Sequence, residues 1–222
     1  MSNLKSNLFA ITILILSIFS YLPAAKVYFT ADDFSYIFQC RNLDFYSPFT
    51  HFFYQPLTLA LYFVNRLFFG LDQHGYHLVT ITINALNNVL IYIFLSLLTA
   101  NRFAAFVIAL LHTVYYFSAD NMIWLNCTNN VLCAFFYFSA IIFSIKFNEK
   151  INTTANKKFF ILLIIFINLT LYTREMGVSI FLVLTAIDLF FYRNIGLKNL
   201  LKKNLYVWVF FIVYLFVMAI GP

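Results

Sequence analysis

The chain has 222 residues, of which 63% are hydrophobic and only 10% are charged. A soluble domain carries about 25% charged residues, so this chain has too little charge to cover a surface in contact with water. These proportions exclude a soluble enzyme, a disulfide-rich secreted scaffold and a disordered chain. They predict an all-α protein that crosses a membrane several times. The net charge of +6 is assigned to the cytosolic ends of helices rather than to nucleic-acid binding.

Seven apolar runs are candidate membrane spans, because about 20 apolar residues cross a bilayer. The runs are Leu8–Ala25, His77–Ala100, Phe103–Ser118, Val131–Phe147, Phe159–Thr173, Gly177–Tyr192 and Leu205–Gly221. The first run follows Lys5 like a signal peptide, but its apolar stretch is long for one, so we expect an uncleaved span. The third run is short for a span, and the two runs on either side of Arg174 and Glu175 are expected to form a tight hairpin.

The charges fix the expected orientation of these spans. With the N-terminus in the cytosol, ten of the 14 Lys and Arg residues lie on the cytosolic side, as the positive-inside bias requires. The outer side then holds Lys26, Arg41, Arg66 and Arg174, together with most of the acidic residues. The basic stretch Lys198–Lys203 is expected to contact anionic lipid headgroups in the cytosolic leaflet.

With the seven spans assigned in this way, the first outer loop, from about Lys26 to Tyr76, is the only long loop. Its segment Phe52–Leu71 is apolar enough to span, but a span there would reverse the charge bias of every later loop. We therefore predict an interfacial helix that lies along the outer surface, with Pro56 in its first turn and Gly70 at its end.

Two adjacent carboxylates, Asp32 and Asp33, follow the first span by a few residues. Neighbouring carboxylates repel each other and favour a bound cation or a raised pKa. One of them is a candidate general base. Together with Asp120 of the second outer loop, the pair is also a candidate site for a divalent cation such as Mg²⁺ or Mn²⁺. The alternatives are a solvated loop start for the pair and a solvated turn for Asp120.

Charge at the outer membrane surface is costly and therefore has a partner or a function. Arg174 is a candidate phosphate ligand, since its planar guanidinium matches phosphate oxygens, and Glu175 lies beside it. The alternative is that both residues only mark the hairpin turn. His77 is predicted at the outer mouth of the second span, where an interfacial cap is a simpler explanation than a catalytic group. Three cysteines show no metal-binding spacing, and whether Cys40 and Cys127 pair stays open.

The stretch YQPLTLALYFVNRLFFGLDQHGYHLVTITINALNNVLIY, residues 54–92, resembles a pattern of the GT-C membrane glycosyltransferases. The nearest pattern is that of the O-mannosyltransferases with tetratricopeptide repeats and of bacterial dolichyl-phosphate-mannose-protein mannosyltransferase-like proteins. Three further segments resemble blocks of this family: the acidic pair Asp32–Asp33, Met122–Leu125 and Tyr172–Met176. The resemblance therefore covers roughly residues 27–190.

The resemblance implies a module of seven helices that moves a sugar, with inversion, from a polyprenyl-phosphate carrier to a protein or glycan hydroxyl outside the cell. Asp33 or Asp32 would be the base, with Asp33 favoured. Arg174, Arg66 and Lys26 would bind the donor phosphate. Accessory roles would fall to Asp120, His77, Glu175 and Tyr54. The implied location is a bacterial inner or plasma membrane rather than the endoplasmic reticulum.

The chain departs from the family pattern in sequence and in length. Gln55, Thr80 and Asn84 stand where the pattern has Arg, Asn and His. Relatives continue beyond a seventh span, so residues 1–222 are expected to form a single module without the usual C-terminal part. Two other functions remain open. One is a non-catalytic fragment or subunit that binds the lipid carrier, and the other, ranked last, is a transporter or flippase.

Overall fold

The computed structural model describes residues 3–41, 55–115, 117–150, 156–191 and 197–220. Within these ranges the chain is helical and contains no strand, which confirms the predicted all-α class. The α-helices are α1 (Asn3–Tyr21), α2 (Ala31–Arg41), α3 (Pro56–Phe69), α4 (Gln73–Thr99), α5 (Arg102–Thr113), α6 (Phe117–Ile123), α7 (Thr128–Glu149), α8 (Asn156–Leu171), α9 (Ile180–Phe191) and α10 (Leu197–Ile220). Three short 3-10 segments, Leu22–Lys26, Leu125–Cys127 and Glu175–Ser179, connect successive helices.

Three helical segments are long and apolar enough to cross a bilayer: Lys5–Lys26, Gln73–Thr99 and Leu125–Glu149. They match the first, second and fourth predicted spans, and they associate the chain with a membrane. Helices α5 and α9 have 12 residues each, about 18 Å, against a hydrocarbon core of about 30 Å. Helix α5 ends at Thr113 rather than at Ser118, and a separate helix begins at Phe117.

Helix α4 lies at the centre and packs against α1, α5 and α7. Its buried stripe carries Asn84, Asn87 and Asn88, and the amides of the last two bond to neighbouring helices. Asn87 Nδ2 donates to the Val131 carbonyl at 2.8 Å, and Asn88 Nδ2 donates to Ser17 Oγ at 2.7 Å. Between apolar helices such hydrogen bonds, rather than a hydrophobic driving force, fix the packing of one helix against the next.

A second core joins α7, α8, α9 and α10 through buried aliphatic and aromatic side chains. Its centre includes Ile145, Leu163, Ile167, Phe181 and Leu184.

A buried ion pair closes the end of this second core where α7 and α9 end and α10 begins. Lys203 Nζ lies 2.7 Å from Asp188 Oδ1 and also donates to Ser144 Oγ and Asn148 Oδ1. Lys203 is 3% exposed, so it faces the helix bundle and not the lipid headgroups, contrary to expectation. Its ammonium group is drawn inward because a buried carboxylate lies within reach.

Helices α2 and α3, which follow α1 and precede α4 along the chain, pack against each other. Helix α3 begins at Pro56 and ends at Phe69, and the next residue, Gly70, caps it with a φ of 61°, so both predicted ends are confirmed. Arg66 Nη1 donates to the carbonyl of Ile37 in the last turns of α2, at 2.9 Å. Helix α3 leaves Leu67 and Phe68 exposed, as an interfacial helix would, and its place at a membrane surface stays a prediction.

Candidate functional site

Asp33 is fully buried and holds two segments of the chain together. It lies in the first turn of α2, where its Oδ2 accepts from the backbone N–H of Thr30 at 2.8 Å and from the Thr30 hydroxyl at 2.9 Å. The first bond is the carboxylate half of a capping box, which satisfies an N–H that the helix leaves free. Its Oδ1 accepts from the backbone N–H of Asn126 at 2.7 Å. Both carboxylate oxygens are therefore engaged.

Asp32 and Asp120 differ from Asp33, because both are exposed. Asp32 lies one position earlier in the same helical turn and points away from the interior. Among the described residues, no group of three or more His, Cys, Asp and Glu side chains is arranged to hold a metal ion. The three predicted metal ligands, Asp32, Asp33 and Asp120, are accordingly not brought together as a ligand set.

Arg174 and Glu175 lie at the turn between α8 and the 3-10 segment that leads into α9. The backbone of Arg174 is extended, with φ −159° and ψ 144°. Its Nη1 donates to Asn129 Oδ1 at 2.9 Å. Its Nε lies 3.6 Å from Glu175 Oε1, beyond hydrogen-bonding distance, and this buried N–H finds no hydrogen-bond partner among the described residues. The Nε–H group of Arg174 is therefore available to donate to an anion.

Gln55 links three distant parts of the chain at this point. Its Oε1 accepts from Asn129 Nδ2 at 3.0 Å and from the Tyr36 hydroxyl at 3.3 Å, and its Nε2 donates to Glu175 Oε2 at 3.3 Å. Burial raises the pKa of the Tyr36 phenol, an effect that Arg174 opposes and Glu175 reinforces. The phenol therefore stays protonated near neutral pH and acts as the donor to Gln55.

Backbone contacts tie the start of α3 to the Arg174 turn. The N–H of Leu57 donates to the carbonyl of Tyr172 at 3.3 Å, and the hydroxyl of Thr58 donates to the carbonyl of Thr173 at 3.1 Å. Because Pro56 has no N–H, the first turn of α3 has one fewer free donor, and Leu57 uses its own on the facing turn.

The acidic turn and the arginine turn meet around the 3-10 segment Leu125–Cys127. The Cys127 side chain lies within electrostatic range of Arg174, Asp120 and Asp33. The structure thus brings Asp33, Arg174 and Glu175 to one end of the helix bundle.

The other predicted site residues have separate partners. His77 is buried in α4, and its Nδ1 lies 2.9 Å from the Met122 carbonyl, so it joins α4 to α6. Arg66 uses one guanidinium nitrogen, Nη1, to donate to the carbonyl of Ile37 in α2. Lys26 is exposed at the end of the 3-10 segment after α1. Tyr54 lies outside the described residues.

Two residues at the centre of the site were not among the predicted ones. Asn129 is 5% exposed and contacts both Arg174 and Gln55, and Gln55 is 6% exposed. The available signal was a polar run, Asn126–Asn130, at the head of an apolar helix. The thiols of Cys40, Cys127 and Cys133 are free, so the first two do not pair.

The chain matches no protein-family model, no curated protein and no solved structure at a significant level.

Proposed function

We propose that the chain is a multi-pass membrane glycosyltransferase module. It transfers a sugar from a polyprenyl-phosphate carrier to a protein or glycan hydroxyl on the extracytoplasmic side, with inversion at the anomeric carbon. The single observation that carries this proposal is the meeting of the acidic turn, Asp32–Asp33, and the arginine turn, Arg174–Glu175, beside Gln55 and Asn129. In the proposed topology seven spans cross a bacterial inner or plasma membrane, and the N-terminus is cytosolic.

A site at the end of an apolar bundle suits the chemistry of the two substrates. A polyprenyl carrier is confined to the bilayer, so its phosphate lies at the level of the headgroups. The acceptor arrives from water. Charged groups at a helix-bundle end reach both, and the lipid-facing side chains of the bundle offer an apolar surface to the isoprenoid.

The two aspartates receive different roles in the proposal. The exposed Asp32 accepts the proton of the acceptor hydroxyl as that oxygen attacks the anomeric carbon. The bond from this carbon to the phosphate oxygen breaks, and its electron pair leaves with the polyprenyl phosphate. Asp33 was the favoured base on sequence grounds, but its three hydrogen bonds support a role as a positioning residue that orients α2.

Arg174 binds the donor phosphate and stabilises the charge that develops on it as the sugar leaves. Its Nε–H, which makes no hydrogen bond within the described part of the chain, supports this role. Lys26 and Arg66 add positive charge at the same membrane level, and Asp120, His77, Glu175 and Tyr54 remain accessory candidates. Asp32 and Asp120 are exposed but do not come together as a ligand set among the described residues, so the proposal assigns no role to Mg²⁺ or Mn²⁺.

Two other functions compete with this proposal. A non-catalytic subunit would bind the carrier at Arg174 and leave its sugar in place. A transporter or flippase would need ionisable groups along the spans. The Asp188–Lys203 pair is buried inside the bundle, but the two groups form an ion pair with each other, and this gives the transporter little support.

Native mass spectrometry of the gently purified protein tests the proposal through the lipids that co-purify. The wild type is expected to carry a polyprenyl phosphate, and Arg174→Ala is expected to lose it, whereas Arg102→Ala at the far end of the bundle keeps it. Asp32→Asn should retain the carrier with its sugar still attached, because transfer is blocked and binding is not. Folded wild type without any polyprenyl phosphate would overturn the proposal, and an unchanged sugar-to-carrier ratio in Asp32→Asn would favour the non-catalytic subunit.

A further inference from the structure

We infer that Gln55 and Asn129 are positioning residues that keep the Arg174 guanidinium open to an anion. The inference rests on the proposed function, since it concerns how the same site would receive a phosphate. Two separate contacts support it. One holds the cation in place, and the other holds the neighbouring carboxylate away from it.

The first contact is made by Asn129, whose amide is divided between two partners. Its Oδ1 accepts from Arg174 Nη1 at 2.9 Å, and its Nδ2 donates to Gln55 Oε1 at 3.0 Å. Because oxygen and nitrogen are each engaged, the amide has one favourable orientation, with its oxygen toward the guanidinium. Asn129 is 5% exposed and sits in the first turn of α7, so it supplies a rigid support.

The second contact concerns Glu175, which follows Arg174 directly in the chain. A carboxylate beside a guanidinium favours a bidentate ion pair, which would use the N–H groups that a phosphate needs. Here Gln55 Nε2 donates to Glu175 Oε2 at 3.3 Å, and the other carboxylate oxygen stays 3.6 Å from Arg174 Nε. Gln55 thus binds one carboxylate oxygen of Glu175, the other oxygen keeps only a long ion-pair contact with Arg174, and the Nε–H makes no hydrogen bond among the described residues.

The chemistry of the amide suits both tasks. Gln55 accepts two hydrogen bonds with Oε1, from Asn129 and Tyr36, and donates to Glu175 with Nε2. A carboxylate at position 55 would accept from the first two but repel Glu175. An arginine would pair with Glu175 but has no acceptor for the first two. Gln55 and Asn129 therefore form a matched pair in this chain.

The test compares binding of undecaprenyl phosphate with binding of undecaprenol, by titration in detergent and native mass spectrometry. The dissociation constant of undecaprenol divided by that of undecaprenyl phosphate measures the preference for the phosphate, because both lipids have the same isoprenoid. This quotient is the ratio used below. Loss of a hydrogen bond to a charged group costs about 1.5–3 kcal/mol, so Arg174→Ala is expected to lower the ratio about tenfold or more. Gln55→Met and Asn129→Ala should each lower it in the same way without weakening undecaprenol binding.

The matched control is Asn130→Ala, since Asn130 lies next to Asn129 but bonds to Asn121 instead. It should leave the ratio unchanged. Adding Asn129→Ala to Arg174→Ala should have no further effect on the ratio, because a positioning residue acts only through the group that it holds. A purely structural effect would add to that of Arg174→Ala and would weaken undecaprenol binding equally.

Two results would overturn the inference, and they are distinguishable. If wild type binds both lipids equally, phosphate recognition fails, and the proposed function fails with it. If wild type prefers the phosphate and Arg174→Ala loses the preference, but Gln55→Met and Asn129→Ala keep it, the proposed function stands and the positioning role is wrong.

Discussion

Asp32 and Asp33 are adjacent and chemically identical, yet the fold treats them oppositely. Asp33 turns inward and accepts three hydrogen bonds from Thr30 and Asn126, whereas Asp32 stays exposed. In a helix, adjacent positions are separated by about 100° around the axis, so two neighbours seldom share an environment. The orientation of a single turn of α2 therefore divides the pair into a buried and an exposed carboxylate.

This division predicts different stabilities for the two amide variants. Asp33→Asn places an NH₂ group against donors and leaves one of them unsatisfied, so it should lower the free energy of unfolding by about 1–3 kcal/mol. Asp32→Asn should change it by less than about 0.5 kcal/mol, as exposed substitutions usually do. Thermal unfolding in detergent, followed by circular dichroism, measures both. Equal losses in the two variants would contradict the assignment.

Gly177 gives a second prediction at this scale. A Cβ on Gly177 would lie 2.7 Å from the carbonyl oxygen of Thr170. This oxygen belongs to the backbone of α8, so it cannot move aside as a flexible side chain would. Gly177→Ala should therefore destabilise the Arg174 turn by about 1–3 kcal/mol, the usual range for overpacking.

Gly70 provides the comparison for Gly177. A Cβ there meets open space, and only the backbone conformation, φ +61° and ψ −116°, opposes a side chain, so Gly70→Ala should cost about 1–3 kcal/mol through strain alone. The two variants separate steric contact from backbone strain in the same thermal-unfolding assay. A loss below about 0.5 kcal/mol in Gly177→Ala would show that the turn can move away from α8.

Among the helices, α10 depends on one charged contact for its position. Lys203 reaches Asp188 of α9 and Ser144 and Asn148 of α7, so a single ammonium group bonds to two neighbouring helices. The other oxygen of Asp188, Oδ2, is buried without a hydrogen-bond partner among the described residues. Such a pair is costly to bury and costly to break, and it specifies register more reliably than it adds stability.

Replacing only one partner of this pair should therefore destabilise the protein more than replacing both partners. Lys203→Met leaves a buried carboxylate uncompensated and should cost about 3–5 kcal/mol, whereas Asp188→Leu with Lys203→Met should recover most of the loss. Limited proteolysis of the purified variants and their thermal unfolding report the docking of α10. A double variant as unstable as the sum of the single variants would mean that the charges contribute independently.

At the scale of the whole molecule, the described residues place a charged cluster at each end of the helix bundle. One end carries the Asp33 and Arg174 turns, and the other carries the Asp188–Lys203 pair. This arrangement agrees with the charge distribution along the chain, in which most cations fall on one side of the proposed spans.

The proposed orientation is tested by labelling single cysteines in a variant without Cys40, Cys127 and Cys133. Asp120→Cys should react with a membrane-impermeant maleimide in intact cells, because the proposed topology places α6 on the outer side. Lys157→Cys should react only after the membrane is permeabilised. Both positions are exposed, so accessibility to reagent differs only through the membrane. The reverse pattern would invert the topology and place the candidate site in the cytosol.

Local signals predicted much of this molecule. The apolar runs and the low charge predicted an all-α membrane-associated chain, and Pro56 and Gly70 predicted the ends of α3. The third apolar run did not form one helix, because α5 stops at Thr113 before a second helix starts at Phe117. Composition reports how apolar a segment is, but not where its backbone turns.

The sequence by itself determined the helical class, the membrane character and the residue types that carry charge, because these depend on composition and on neighbours along the chain. Only the tertiary structure decided which aspartate is buried, that Lys203 turns inward, and that Gln55 reaches Asn129 and Glu175. Those contacts join residues 74 and 120 positions apart. A hydrogen bond needs its two atoms within about 3 Å, a condition that the packing of distant helices sets and that no local pattern encodes.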